Sequence, residues 1–140
     1  MPLFALLASA ACLATPVHGN VVRAGPFVGY IVPQYDVVNS RFRLHVGEYR
    51  NPATGLSQKI PWFIPRRYPV RGSLVVVWRR LGSVRVRFRT VLHQTWSPSN
   101  PKRWVFPSSF SPPNAGCWRL TFQSGRVTGE LTALVSNRPS

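Results

Sequence analysis

The residue best suited to chemistry in this sequence is a cysteine near the C-terminal end. Cys117 could act as a thiol nucleophile, with His45 or His93 as its base. Arg119, two residues further along the same strand face, would favour the thiolate. The alternative is a structural cysteine, because unpaired cysteines are commonly buried as small hydrophobic residues. We expect the structural role.

A metal site could be drawn from His45, Glu48, Asp36 and His93, but their spacing does not support one. Residues three apart on a strand point to opposite faces, and no Cys-x-x-Cys or His-Glu-x-x-His motif fixes a ligand geometry. A Gly-x-Ser-x-Gly motif, a Gly-rich phosphate loop and a dinucleotide fingerprint are also absent from the sequence. We therefore predict a protein that is not an enzyme and that holds no metal or cofactor.

The remaining functional signal is a basic surface. The chain has 18 Lys and Arg against 3 Asp and Glu, a net charge of +15. Arg85, Arg87 and Arg89 alternate with apolar residues, so that one face of a strand would carry three guanidinium groups in water. Arg66 and Arg67 add a second basic site between aromatic residues. We predict that these five arginines bind anions.

Two kinds of partner fit such a surface. Anionic polymers and membrane headgroups attract it through long-range Coulomb forces. The alternative is a basic small β-barrel that binds single-stranded nucleic acid, with aromatic residues such as Trp62 and Trp104 stacking on the bases. The tryptophans could equally form the core, and export from the cell would separate the protein from cytoplasmic nucleic acid.

The first segment predicts export. Residues 2–13 are uncharged and mostly apolar, too short to span a bilayer but typical of a signal peptide core. We predict a signal peptide at residues 1–19, cleaved before Asn20 or alternatively before Thr15, and a secreted or cell-envelope protein. The alternatives are a buried strand and a lipid-modified Cys12. If Cys12 leaves with the signal, Cys117 is alone and cannot form an intramolecular disulfide.

Residues 20–140 predict one all-β domain. Ten Gly and 14 Pro interrupt any helical period, while β-branched and aromatic residues fill the gaps. Seven or eight short strands would form an antiparallel sandwich or small barrel. The predicted strands are 27–32, 41–46, 59–64, 74–79, 84–92, 103–106, 118–123 and 127–135. Prolines at 61, 65 and 69 predict that the third of these lies at a sheet edge.

The C-terminal part carries several short motifs in a fixed order. A Phe-Pro segment at 106–107 precedes a Gly-Cys-Trp strand at 116–118 and a last hairpin strand at 127–135, and Lys-Ile-Pro-Trp at 59–62 and Arg-Arg-Leu at 79–81 lie upstream. In these motifs the chain resembles a group of secreted bacterial proteins, and the resemblance covers residues 45–135. It implies an exported immunoglobulin-like β-sandwich and no known activity. Ala115 replaces the group's usual Pro, and Arg119 stands where Glu is frequent.

Overall fold

The computed structural model describes residues 12–47, 50, 58–82, 87–95 and 102–137. Ten strands and one helical turn, α1 at Pro33–Asp36, make up this part of the chain. No described segment forms a helix long and apolar enough to cross a membrane. The strands are β1 Val21–Ala24, β2 Phe27–Tyr30, β3 Val37–Val38, β4 Arg41–His45, β5 Lys59–Pro65, β6 Leu74–Arg80, β7 Arg87–Leu92, β8 Arg103–Ser109, β9 Gly116–Ser124 and β10 Val127–Ser136.

The strands form two sheets. The smaller sheet has the order β1-β2-β5-β8, and the larger sheet has the order β3-β4-β10-β9-β6-β7. The predicted all-β sandwich is therefore confirmed, with ten strands instead of seven or eight. Every predicted strand is present in its described part; the two short strands β1 and β3 were missed. The larger sheet is mixed instead of purely antiparallel, because β10 and β4 run parallel.

The core lies between the two sheets and follows from period-two alternation. On β9, Trp118, Leu120 and Phe122 are buried, while the residues between them are exposed. Across the sandwich, the ring of Trp62 on β5 meets that of Phe122 edge-on at 4.6 Å. Gly29 stands opposite Trp62 on β2, where a Cβ would lie 2.6 Å from the indole ring. The absence of a side chain there makes room for the indole.

The prediction that β5 is an edge strand is wrong. β5 is central in the smaller sheet and pairs with β2 on one side and β8 on the other. Its prolines are tolerated because the β2 ladder covers only Phe63 and Trp62, between Pro61 and Pro65. On the other side Pro61 faces Pro107 of β8. A proline has no backbone N–H, so it fits only where the neighbouring strand accepts no hydrogen bond from that position. A short partner strand leaves such positions free even inside a sheet.

The segment that precedes β1 belongs to the larger sheet. The Thr15 amide donates to the Thr132 carbonyl at 2.8 Å, and the Thr132 amide donates to Thr15 Oγ1 at 2.8 Å. On the other side of the segment, the Phe42 amide donates to the Thr15 carbonyl at 2.9 Å. Ala14 is 3% exposed. Thr15 thus lies between β10 and the start of β4.

A disulfide joins Cys12 to Cys117, 105 residues apart. In the chain that keeps Cys12, Cys117 is therefore paired and not a buried lone thiol, whereas the expectation of a lone Cys117 applies to a chain from which Cys12 has been removed. Cys117 lies on the outer face of β9, on the side opposite Trp118, and is half-buried. Cleavage before Asn20 or Thr15 stays a prediction, but either cut would remove Cys12. The hydrogen bonds of Thr15 also count against cleavage before Asn20, because that cut would remove Thr15 as well.

Candidate anion-binding face

The predicted arginine stripe lies on the outer face of the larger sheet. Arg87 and Arg89 on β7 are exposed, and Phe88 between them packs inward on Trp78 at 5.0 Å between ring centroids. This alternation agrees with the predicted strand register. The third residue of the stripe, Arg85, lies outside the described residues.

The neighbouring strands extend the stripe sideways. Arg79 on β6 stands directly opposite Arg87 on β7 and directly opposite Arg119 on β9. Side chains opposite each other in an antiparallel pair lie on the same face. Three exposed guanidinium groups therefore form a row across three adjacent strands, whose backbones lie about 4.8 Å apart. We call Arg79, Arg87 and Arg119 the arginine row.

Among the described residues, no neighbouring side chain neutralises the charge of the arginine row. None of its three guanidinium groups has a hydrogen-bond or ion-pair partner in that part of the chain. The carboxylate described on this face is Glu130, which stands opposite Thr121 and not opposite an arginine. Like charges placed directly opposite each other destabilise a sheet. An anionic partner would relieve that repulsion.

A shallow groove of about 550 Å³ lies beside the arginine row on the same face. Val75 and Val77 line it together with Arg71 and Arg89. The loop that carries Arg71 is fixed by Ser124, whose hydroxyl accepts from the Arg71 amide at 3.1 Å and donates to the Arg71 carbonyl at 3.2 Å. Arg71 therefore adds a positioned charge to the border of the face.

Arg66 and Arg67, the second predicted site, lie apart from the arginine row. They follow β5 of the smaller sheet, whereas the arginine row lies on the larger sheet. The Arg66 Cζ lies 4.4 Å from the centre of the Trp104 ring, and its Nε and Nη2 are buried without a hydrogen-bond partner. Arg67 is exposed and lies near the Tyr68 ring, at 5.2 Å. Arg66 is thus already engaged by an aromatic residue.

Arg103 on β8 shows the same kind of engagement. Its Cζ lies 4.5 Å from the centre of the Phe63 ring, and its Nη1 donates to the Tyr30 hydroxyl at 3.0 Å. Tyr30 and Phe63 meet edge-on at 5.2 Å. On the outer face of the smaller sheet, Arg103 is therefore paired with aromatic rings, whereas Arg23 on β1 is exposed.

The candidate enzyme residues do not come together. Cys117 is in a disulfide and offers no thiolate in this state. His45 is 3% exposed, and burial, followed by the positive charge of Arg43, lowers its pKa. Burial raises the pKa of Asp36. Among the described residues no three His, Cys, Asp or Glu side chains could hold a metal ion; Glu48 lies outside them.

The sequence reasoning missed Arg79 and Arg119 as members of the site. Each alternates with buried residues on its own strand, so their exposure could be read from the pattern. Their meeting with Arg87 depends on the order β7-β6-β9, which no local pattern encodes.

Comparisons with protein-family models, with curated proteins and with solved structures found no match to this chain. The resemblance to secreted bacterial proteins and the immunoglobulin-like form of the sandwich therefore stay predictions.

Proposed function

We propose that this protein is an exported, non-catalytic binding module of the cell envelope or the extracellular space, whose basic sheet face binds anionic polymers or anionic lipid headgroups. The observation that carries the proposal is the arginine row, with three guanidinium groups in register and no carboxylate opposite them. A flat row of charge tracks a repeating anion without reading a sequence of bases. We expect salt-sensitive binding of low selectivity.

The alternative, single-stranded nucleic acid binding, has less support. It requires exposed aromatic rings on which bases can stack. Trp62 is 0% exposed, and Trp104 is half-buried beneath the Arg66 guanidinium. Tyr30 and Phe63 are half-buried against each other and Arg103. A basic polymer site without free stacking surfaces fits these positions better.

Export is compatible with the disulfide, because such bonds persist in oxidising compartments. We propose that Cys12 stays in the mature chain, since it is bonded to Cys117 and the adjoining Thr15 is hydrogen-bonded on two sides. Intact mass of the protein from its native host tests both points. A mature species that retains Cys12 in oxidised form supports them. A species that starts at Thr15 or Asn20 would support export but would overturn the retention of Cys12 and, with it, the disulfide of the mature chain.

The binding experiment compares two charge reversals. Arg79→Glu changes the centre of the arginine row, and Arg23→Glu changes an exposed arginine on β1 of the smaller sheet. Binding to dextran sulfate and to phosphatidylglycerol vesicles is titrated at several salt concentrations. We expect Arg79→Glu to weaken binding by on the order of tenfold, since each basic residue near an anionic surface contributes about 1 kcal/mol.

The control variant carries the same change in net charge. If the arginine row is the site, Arg23→Glu lowers affinity about twofold or less, through the long-range field alone. Equal losses in the two variants would mean that binding follows net charge and that no face is specialised. Retention of one single-stranded oligonucleotide at physiological salt, with loss on Trp104→Ala, would favour the nucleic-acid alternative.

A further inference from the structure

The face that carries the arginine row also carries exposed apolar side chains. Val91 on β7 is 45% exposed and stands opposite the half-buried Val75 on β6. Val77, in the next outward-facing position of β6, stands opposite Arg89. Three valines thus form a continuous apolar patch on one side of the arginine row.

A second exposed apolar residue lies on the other side of the arginine row. Leu13 is 69% exposed and adjoins Cys12, which is bonded to Cys117 on the outer face of β9. Cys117 is two residues from Arg119 along that strand. Gln123 is in register with Val75 and lies six residues from Cys117 along β9. Six residues of strand span about 20 Å, which is the distance along the face between the valine patch and the Cys12–Cys117 disulfide beside Leu13.

Resting on the proposed function, we infer that the partner of this face is the surface of an anionic bilayer. Val91 and Leu13 enter the interfacial region at the two ends, and the arginine row lies against the lipid phosphates between them. A soluble polyanion would gain nothing from exposed aliphatic side chains. A bilayer gains from removing that apolar area from water and from neutralising the guanidinium groups, whose aliphatic stems also lie along apolar surface.

The shape of the face fits a planar partner. The valines and the arginine row project from adjacent strands of one sheet, at positions that alternate with buried residues. Side chains on one face of a sheet stand roughly parallel, so the apolar and basic groups reach the same plane together. A headgroup layer offers phosphates over an area, whereas the groove beside Arg71 is open and does not enclose a ligand.

The test measures vesicle binding and polymer binding side by side with the oxidised protein. The vesicles are phosphatidylcholine alone and phosphatidylcholine mixed in equal parts with phosphatidylglycerol, and the polymer is dextran sulfate. Val91→Ser and Leu13→Ser should each weaken binding to the mixed vesicles roughly threefold, as expected for losing part of one buried aliphatic side chain. Both variants should leave dextran sulfate binding unchanged.

Val28→Ser, on the outer face of the smaller sheet, is the matched control and should bind vesicles as the native protein does. Circular dichroism checks that all three variants fold; Val91 and Leu13 are exposed, and Val28 is half-buried. Dextran sulfate binding without vesicle binding, or vesicle binding unaffected by Val91→Ser and Leu13→Ser, would overturn the bilayer inference and leave the proposed function standing. If the protein binds neither dextran sulfate nor the vesicles, both the bilayer inference and the proposed function are overturned.

Discussion

Arg103 on the smaller sheet and Arg79 on the larger sheet show two opposite surroundings for an arginine on an outer face. On the smaller sheet, the Arg103 guanidinium lies over Phe63 and donates to Tyr30. On the larger sheet, Arg79 has arginines opposite it on both sides and no internal partner among the described residues. The arginines that make up the basic excess of the chain therefore have different roles. Arginines engaged by aromatic rings hold the fold, and arginines in register with one another are available to an anion.

The N-terminal segment makes the two sheets differ further. The Cys12–Cys117 disulfide and the hydrogen bonds of Thr15 all attach this segment to the larger sheet or to its edge. The smaller sheet receives no comparable covalent constraint within the described chain. Because both sheets share one core, we expect the disulfide to stabilise the whole sandwich through the larger sheet.

The largest expected effect follows from breaking the disulfide. Cys117→Ser should lower the free energy of unfolding by about 2–4 kcal/mol, because the bond closes a loop of 105 residues. Cys12→Ser should cost the same amount, and a reducing agent should affect neither variant further. Denaturant unfolding under oxidising conditions measures all three. If Cys12→Ser is neutral while Cys117→Ser is not, the segment is not tethered and Cys117 acts as a lone structural residue.

The next effect tests the contacts of Arg103 with aromatic residues on the outer face of the smaller sheet. Arg103→Gln should lower the free energy of unfolding by about 1–2 kcal/mol, since it removes a cation–π contact and a hydrogen bond to Tyr30. Anion binding should be unchanged. Urea unfolding gives the first quantity and titration with dextran sulfate gives the second. A loss of binding in Arg103→Gln would place the anion site on the smaller sheet as well.

Arg79→Gln, in contrast to Arg103→Gln, should raise the free energy of unfolding. Removing the middle charge of the arginine row relieves repulsion with Arg87 and Arg119, so stability should rise by about 0.5 kcal/mol at low salt. The gain should shrink as salt is added, because these side chains are exposed. Thermal unfolding at low and high salt measures it. A loss of stability that does not depend on salt would show that the Arg79 side chain stabilises the sheet by packing and that its repulsion with Arg87 and Arg119 is unimportant.

The smallest effect concerns pH. Burial lowers the pKa of His45, so the unfolded chain takes up a proton that the folded chain resists. Stability should therefore fall as pH decreases through the ordinary histidine pKa of about 6.5. Asp36, whose pKa is raised, acts with the opposite sign at lower pH. His45→Gln should flatten the profile. An unchanged slope in His45→Gln would assign the acid sensitivity elsewhere.

Local alternation predicted most of the strands and the exposure of the described stripe residues Arg87 and Arg89. It failed where a residue's role depends on a distant partner. Prolines in β5 predicted an edge strand, but β5 is central because its β2 partner spans only the positions between them. Cys117 was expected to be alone, but Thr15 and its neighbours lie in the larger sheet and bring Cys12 to it.

By itself, the sequence determined the all-β class, the positions of eight of the ten described strands and, on the strands that alternate clearly, the side that faces water, because a period of two is a local property of the chain. Only the tertiary structure decided which exposed arginines stand together. Arg79, Arg87 and Arg119 meet because β6 lies between β7 and β9. Strand order depends on contacts distant in sequence, so no short pattern could have specified the arginine row.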